Sequence, residues 1–342
     1  MAQTQEKRLM PPTKITELLE AKWANQVLKT ALELNVFSEL KNGALSWQDL
    51  SCRLALDQRG AKLLLDCLVA LEFLAKKDEK YSLTKISELY LVSDSQLFLG
   101  KYILAKDDVE LNWQQLTKAM RTGEPVCQVN QDSKAEEFFP QLASSIFPLN
   151  FTTAQMVADA LGANKMPSPV RILDLAAGSA VWSIPFAQAN PHVTVDALDF
   201  PAVLNVTASF AGKYGVADRY TYLSGNWRNV PLENSVYDLV ILGHILHSEG
   251  KEMSRQLLAA CAGALKSGGR LIIAEFIASE QKTGPSFPCL FALNMFLATT
   301  AGCVFSLAEL EEMLSQSGFE QVERLELPFW GSQAPVVTAI KS

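Results

Sequence analysis

The chain has 342 residues, 49% of them apolar and 20% charged, with 30 Lys and Arg against 37 Asp and Glu for a net charge of −7. This is a globular composition with a sizeable core and enough length for two domains. The acidic balance argues against a general binder of nucleic acid or acidic membrane, since such partners need a basic footprint. Cys52, Cys67, Cys127, Cys261, Cys289 and Cys303 form no C-x-x-C pair and no zinc-ligand spacing, which reads as scattered reduced thiols in a cytoplasmic protein. The opening MAQTQEKRLMPPTK has no apolar core of a signal peptide. No apolar run is long enough to span a bilayer, so no membrane insertion is expected; LFALNMFLATTAG (290–302) reads as a buried or pocket-lining helix.

In chain order, residues 17–40 place Leu19, Trp23, Val27, Ala31 and Leu34 near helical spacing, as one buried stripe. Ser46 with Asp49 signals a helix start, and Asp57 caps a third helix carrying Leu64, Leu65, Leu68 and Leu71. Two short β-like pieces then flank the polar turn 76–80, and Thr84 opens another helix. Three helices and a small hairpin describe a winged helix, which raises DNA binding. Residues 1–100 hold 13 Lys and Arg against 13 Asp and Glu, so the electrostatic footprint for phosphate is missing. The abundant Leu and Trp suit a dimerisation platform better. Residues 101–165 read as connecting helices rich in Phe, with Pro140 and Pro148 as interruptions, and Asn164–Pro169 is the clearest boundary.

From residue 170 strands and helices alternate: VRILDL, VTVDALD, YTYLSG, YDLVILG and RLIIAEF are strands, VWSIPFAQA is a helix, Pro201 opens another at its first position, and Ser306–Glu309 is a capping box. FEQVERLEL and PVVTAIK are joined by the short link PFWGSQA, too short for a helical crossover, so this pair is expected to be antiparallel. The domains expected are 1–100, 101–165 and 166–342.

Open parallel sheets bind ligands at the C-terminal ends of their strands. Asp174 and Gly178 are expected after the first strand, Asp199 at the end of the second, Asn226 after the third and His247 after the fourth. In RILDLAAGSAVWS, alanines stand where a dinucleotide loop would have glycine, and a pyrophosphate needs two or three glycines for its oxygens to approach the backbone. Asp199 suits a ribose diol, a role compatible with capping the helix opened at Pro201 and favoured over capping alone. His244 and His247 are three apart, expected on one face of a short helical turn. A metal pair is conceivable, but no further ligand cluster is evident and no metal is expected. An imidazole that takes a proton from an acceptor fits better, beside a packing or capping role. Glu275 ends the fifth strand, where it can orient His247.

The segments WANQVLKTALELNVFSEL, LLLDCLVALEFLAKKDEKYSLT, LDLAAGS, ALDFPAVL, SGNW, ILGHILHSEG, LKSGGRLIIAEF and SGFEQV together resemble the S-adenosylmethionine-dependent small-molecule O-methyltransferases typified by caffeate and hydroxyindole O-methyltransferases, in a bacterial-type version. The resemblance covers nearly the whole chain. It implies an α/β Rossmann-like methyltransferase sheet with a terminal antiparallel hairpin, preceded by a winged-helix dimerisation domain. It implies S-adenosylmethionine as cofactor, S-adenosylhomocysteine as product, a small aromatic or polyketide-like acceptor, and a homodimer. Asp174, Ala176 and Gly178 would surround the methionine part, Asp199 would bind the ribose, and Asn226 and Trp227 the adenine, with Phe200 and Gly243 also on the cofactor. His247 aligns with the general base and Glu275 with the carboxylate that positions it. Phe138, Phe147, Phe151, His244, Phe291 and Met295 are candidates for the acceptor pocket, together with Phe139 and Phe296. Three departures stand out: Ser248-Glu249 replaces Asp-Trp, Val304 replaces a second carboxylate, and Asn226 replaces the adenine-binding acid. C-methylation by positioning alone, a non-catalytic cofactor binder, a dinucleotide oxidoreductase and a ligand-sensing DNA-binding regulator are the alternatives.

Overall fold

The computed structural model describes residues 11–105, 107–129, 132–327 and 334–342, and the chain divides into two compact units, Met1–Ala105 and Lys106–Ser342. Most of MAQTQEKRLMPPTK, and residues 328–333 of the terminal link, lie outside the described residues.

The first unit holds α1 (Thr13–Glu33), α2 (Val36–Glu39), β1 (Leu45–Ser46), α3 (Trp47–Arg53), α4 (Gln58–Ala70), β2 (Leu74–Lys77), β3 (Lys80–Leu83), α5 (Lys85–Tyr90) and α6 (Gly100–Leu104). Local chemistry sets its boundaries. The Asp49 N–H donates to Ser46 Oγ at 3.1 Å and the Ser46 N–H donates to Asp49 Oδ2 at 3.3 Å, a reciprocal capping box for α3. Asp57 Oδ1 accepts the Gly60 N–H at 2.7 Å and starts α4. Asp78 and Glu79 both adopt positive φ, the two-residue turn whose twist matches an antiparallel hairpin, and β1, β3 and β2 form one small sheet. Phe37, Leu50, Leu65, Leu68, Leu74 and Tyr81 close the core.

The stripe expected on the first helix is only half covered. Ala31 is buried and Val27 and Leu34 are partly so, but Leu19 is 65% exposed and Trp23 72%, beside exposed Ile15 and Leu18. Helical spacing tells which side chains share a face; it does not tell whether anything lies on that face.

The second unit starts with α7 (Asp107–Gln114), α8 (Leu116–Thr122) and α9 (Asp132–Ala160). Pro140 and Pro148 do not interrupt α9, which runs through both. A proline inside a helix costs about 3 kcal/mol. Phe147 and Phe151 counter it by stacking on each other and on Phe210 and Tyr214; a fully buried Phe contributes about 1.5–3 kcal/mol.

The elements that follow are β4 (Val170–Leu175), α10 (Ile184–Ala189), β5 (Val193–Asp199), α11 (Pro201–Lys213), β6 (Tyr220–Ser224), β7 (Tyr237–Gly243), α12 (Leu246–Ala264), β8 (Leu265–Ala274), β9 (Ile277–Ala278), α13 (Ser286–Ala298), β10 (Phe305–Ser306), α14 (Leu307–Gln316), β11 (Phe319–Arg324) and β12 (Val336–Lys341). The main sheet has the order β11-β12-β8-β7-β4-β5-β6. Strands β8, β7, β4, β5 and β6 are parallel, while β12 runs antiparallel to both β8 and β11, as the helix-free tail requires. The central strands are buried on both faces, which explains their near-continuous apolar runs. The chain winds outward from β4 in both directions, so a crevice opens past the C-terminal ends of β4 and β7. Two local expectations shift here. Asp174 lies inside β4 rather than after it, and residues 181–183 form a turn before α10. α13 is mostly half-buried, with Leu290 53% exposed.

Candidate active site

The loop after β4 is clamped in place by the neighbouring strand and helix. Asp199, the last residue of β5, accepts the Gly178 N–H on Oδ2 at 2.9 Å and the Phe200 N–H on Oδ1 at 2.7 Å. Thr207 of α11 donates to the Gly178 carbonyl at 2.7 Å, and the Ala177 N–H donates to the Leu198 carbonyl at 3.2 Å. Asp199 therefore pins the loop; the N-cap of α11, Phe200, makes no side-chain cap bond. Ala176, Gly178 and Ala180 all have φ near +57° (56°, 57° and 57°). The alanines adopt glycine geometry at some steric cost. No side chain across 176–180 is longer than the hydroxymethyl of Ser179. The result is a low, rigid rim with backbone within reach of a ligand, and it needs no second glycine.

Two carboxylates sit buried beneath this rim. Burial pushes Asp199 up to about 6, against the pull of its two backbone donors. Burial, with the charge of Asp199, pushes Asp174 up to about 7. Asp174 accepts the Ser183 hydroxyl, whose oxygen lies 2.9 Å from the Tyr220 hydroxyl, so its side chain is held in a buried chain of polar groups. Asp199 keeps acceptor capacity beyond its two backbone bonds.

On the adenine side of the resemblance, Asn226 Oδ1 accepts the Arg228 N–H at 3.1 Å and its carbonyl accepts from Asn229 and Val230, which folds the loop after β6. Trp227 packs on the main core, and its buried Nε1 has no partner among the described residues. Arg228 stacks over Trp227 and pairs with Glu249, one of the residues that depart from the family pattern. This pair ties the loop to the first turn of α12. Gly243 ends β7, with the Trp182 ring packed against it.

His247 and Glu275 meet past the ends of β7 and β8. His247 Nδ1 lies 2.7 Å from Glu275 Oε1, and the His247 backbone N–H donates to Oε2 at 3.2 Å. Oε1 also accepts the Phe276 N–H at 2.8 Å. Burial works to raise Glu275, but the His247 ring, His244 and the Phe276 N–H outweigh it and hold the carboxyl below its usual range. An ionised carboxylate only accepts, so His247 Nδ1 carries a proton toward Glu275, and in the neutral ring Nε2 is the nitrogen that presents a lone pair. His244 does not share a helical turn with His247. It precedes α12 with φ 63°, and burial pushes its imidazole down to about 4. Its Nε2 lies 3.4 Å from Asn150 Oδ1, and its buried Nδ1 has no partner among the described residues.

Of the aromatic residues singled out in the sequence, Phe291 meets His247 edge-on at 4.8 Å between centroids. Phe276 and Phe287, missed by sequence reasoning, complete the wall: Phe276 lies 4.9 Å from His244, 4.5 Å from Phe291 and 5.1 Å from Phe287. Phe276 was legible as the residue directly after Glu275. Met295 is buried on α13. Phe138 pairs edge-on with Phe139, whereas Phe147 and Phe151 belong to the stack on α11. Val304 is buried, and its carbonyl accepts Lys282 Nζ at 2.6 Å.

Gly250 and Gly302 were also missed. A Cβ on Gly250 would meet the Ala301 carbonyl at 2.4 Å, and one on Gly302 the His247 carbonyl at 2.7 Å. The Cys303 N–H donates to that same His247 carbonyl at 2.8 Å. The segment 301–303 thus grips the turn that carries His247, and only glycine permits the approach.

The comparisons with known proteins bear on this constellation. Residues 113–320 match the O-methyltransferase domain family and residues 16–93 the O-methyltransferase dimerisation domain family. The 3-hydroxy-5-methyl-1-naphthoate 3-O-methyltransferase of Streptomyces sahachiroi is 28% identical over 97% of this chain and 96% of its own. A crystal structure of a candidate O-methyltransferase from Nostoc punctiforme superposes with a TM-score of 0.84 at 29% identity, covering 97% of this chain and all of that one (100%). Human N-acetylserotonin methyltransferase, solved with S-adenosylmethionine, shares the fold with a TM-score of 0.82 at 21% identity, covering 100% of both chains. A rigid small-residue rim, a strand-end Asp, a buried His–Glu pair and the antiparallel tail fit these matches together: the chain belongs to the O-methyltransferase family and is an S-adenosylmethionine-dependent methyltransferase.

Proposed function

We propose that the protein moves the methyl group of S-adenosylmethionine to a hydroxyl of a small aromatic or polyketide-like molecule, with His247 as general base. The observation that carries this reading is the 2.7 Å His247–Glu275 pair, set among Phe276 and Phe291 at the strand ends. The naphthoate hydroxyl named for the Streptomyces relative supports a flat, fused-ring acceptor.

The residues present suit the cofactor. Asp199 has spare acceptors for a ribose diol, Asp174 to Gly178 border the methionine end, and Asn226 and Trp227 border the adenine, with Phe200 and Gly243 alongside. When bound, S-adenosylmethionine supplies an activated methyl on its sulfonium. His247 Nε2 holds the acceptor's hydroxyl proton, and Glu275 fixes the ring and stabilises its charged form. Phe276, Phe287 and Phe291 exclude water and orient a flat ring, and His244 and Met295 complete that wall.

The reading includes a homodimer built on the first unit. The dimerisation-domain match supports it, as does the row Ile15, Leu18, Leu19 and Trp23, all at least 65% exposed on α1. It also includes a cytoplasmic setting, in keeping with six cysteines that are all free; among the described residues no helix is long and apolar enough to cross a membrane. The test is calorimetry with S-adenosylmethionine, S-adenosylhomocysteine and NAD, followed by transfer of labelled methyl to hydroxynaphthoates and other phenols. Binding of the two sulfur compounds and labelling of a hydroxyl are expected. Failure to bind either sulfur compound refutes the reading, and a label found on ring carbon replaces O- by C-methylation.

A further inference from the structure

We propose that His244, His247 and Glu275 form a three-ligand site for a zinc-type divalent cation, and that filling this site switches methyl transfer off. The sequence offered two histidines three residues apart and no third ligand; the fold supplies it from the next strand. One donor atom from each of the three side chains lies within 4.8 Å of the others. Tetrahedral zinc bonds of 2.0–2.1 Å put donor atoms about 3.4 Å apart. His247 Nδ1 and Glu275 Oε1, now 2.7 Å apart, must open slightly, and His244 must close by up to about 1.4 Å.

His244 is ready for that role. Its Nε2 lies 3.4 Å from Asn150 Oδ1, an acceptor that holds the N–H on that nitrogen and leaves the lone pair on the buried, unpartnered Nδ1. Metal-bound histidines regularly give their other N–H to such an oxygen. The left-handed backbone of His244 is a strain of the kind found at functional sites. Two imidazoles and one carboxylate select zinc, cobalt or nickel over magnesium and calcium, which prefer oxygen alone.

Chemically, the cation takes the place of the proton between His247 Nδ1 and Glu275 Oε1. That proton is relayed by solvent to His247 Nε2, so the ring stays neutral and loses the lone pair that would take the acceptor's proton; no oxidant or reductant is needed. Three protein ligands leave a fourth position open to water or to the acceptor's oxygen. The binding step rests on geometry alone. The inhibition rests on the reading of His247 as the base.

Cobalt titration of the EDTA-treated full-length protein tests the site. We expect one cobalt per chain with a tetrahedral visible spectrum, displaced by zinc, and no thiolate charge-transfer band. His244→Asn and Glu275→Gln should each weaken binding at least tenfold. Zinc should inhibit wild type competitively against the acceptor, with each variant's rate compared with its own EDTA-treated rate. A thiolate band moves the ion to Cys303 or another cysteine and overturns the site. Unchanged affinity in both variants overturns it too. Absence of methyl transfer by the metal-free protein would instead refute the function proposed above and leave the binding result standing.

Discussion

Replacing Asp199 by asparagine separates the two things this carboxylate does. With burial pushing Asp199 up to about 6 from 3.8, its ionised form is disfavoured in the folded protein by roughly 3 kcal/mol at pH 7.5. Asp199→Asn removes that cost. Asparagine has one acceptor oxygen for the two N–H groups of Gly178 and Phe200, so one of them goes unpaired, which costs about 1–3 kcal/mol. The two terms nearly cancel, and the melting temperature should move by no more than a few degrees. Cofactor binding has no such compensation. Losing one charge-assisted bond to a ribose hydroxyl and weakening a second costs about 3 kcal/mol, or roughly 100-fold in affinity for S-adenosylhomocysteine. Ribose hydroxyls favour the ionised carboxylate, so wild-type affinity should weaken as pH falls below about 6, by at most tenfold per unit. The variant should show no such slope. Titration calorimetry at pH 8 and pH 5, with a thermal melt at each, measures both effects. Affinity of the variant within threefold of wild type would refute the ribose role, and a flat wild-type profile would refute the burial reasoning.

His247→Ala should keep S-adenosylhomocysteine affinity within a few-fold while turnover falls at least about tenfold, a modest general-base effect; unchanged turnover would assign the rate to positioning alone. Asp174, raised from 3.8 to about 7, contributes stability that is full below 3.8 and is lost as pH rises to about 7. The melting temperature of Asp174→Asn relative to wild type should therefore climb between pH 5 and 7, and a constant difference would contradict this. On α1, Leu18→Glu with Trp23→Glu should convert a dimer to a monomer by light scattering with little change in the melt, since both side chains are over 70% exposed within the chain; a dimer that survives both changes lies elsewhere.

The amino-acid sequence alone makes legible whatever short-range chemistry enforces. Ser46 with Asp49 and Ser306 with Glu309 announce helix starts because the donors they satisfy lie within one turn. The apolar runs of β4, β5 and β7 announce buried parallel strands, and a helix-free tail can only pair antiparallel. Strand-end placement likewise brought Asp199, His247 and Glu275 into view, because parallel strands end on one edge. Interactions between distant segments were another matter. Pro140 and Pro148 marked breaks that the stack of Phe147 and Phe151 on α11 overrides. The face of α1 could be located but its exposure could not. His244, three residues from His247, looked like its helical neighbour until the backbone turned left-handed and set it against Asn150. The grip of Gly250 and Gly302 on the His247 turn, and the wall of Phe276 and Phe287, arise where chain segments tens of residues apart converge. The sequence determined the elements, the edge at which they end and the acid–base pair brought there. Only the tertiary structure decided which side chains face one another, because that depends on packing, and packing has no period along the chain.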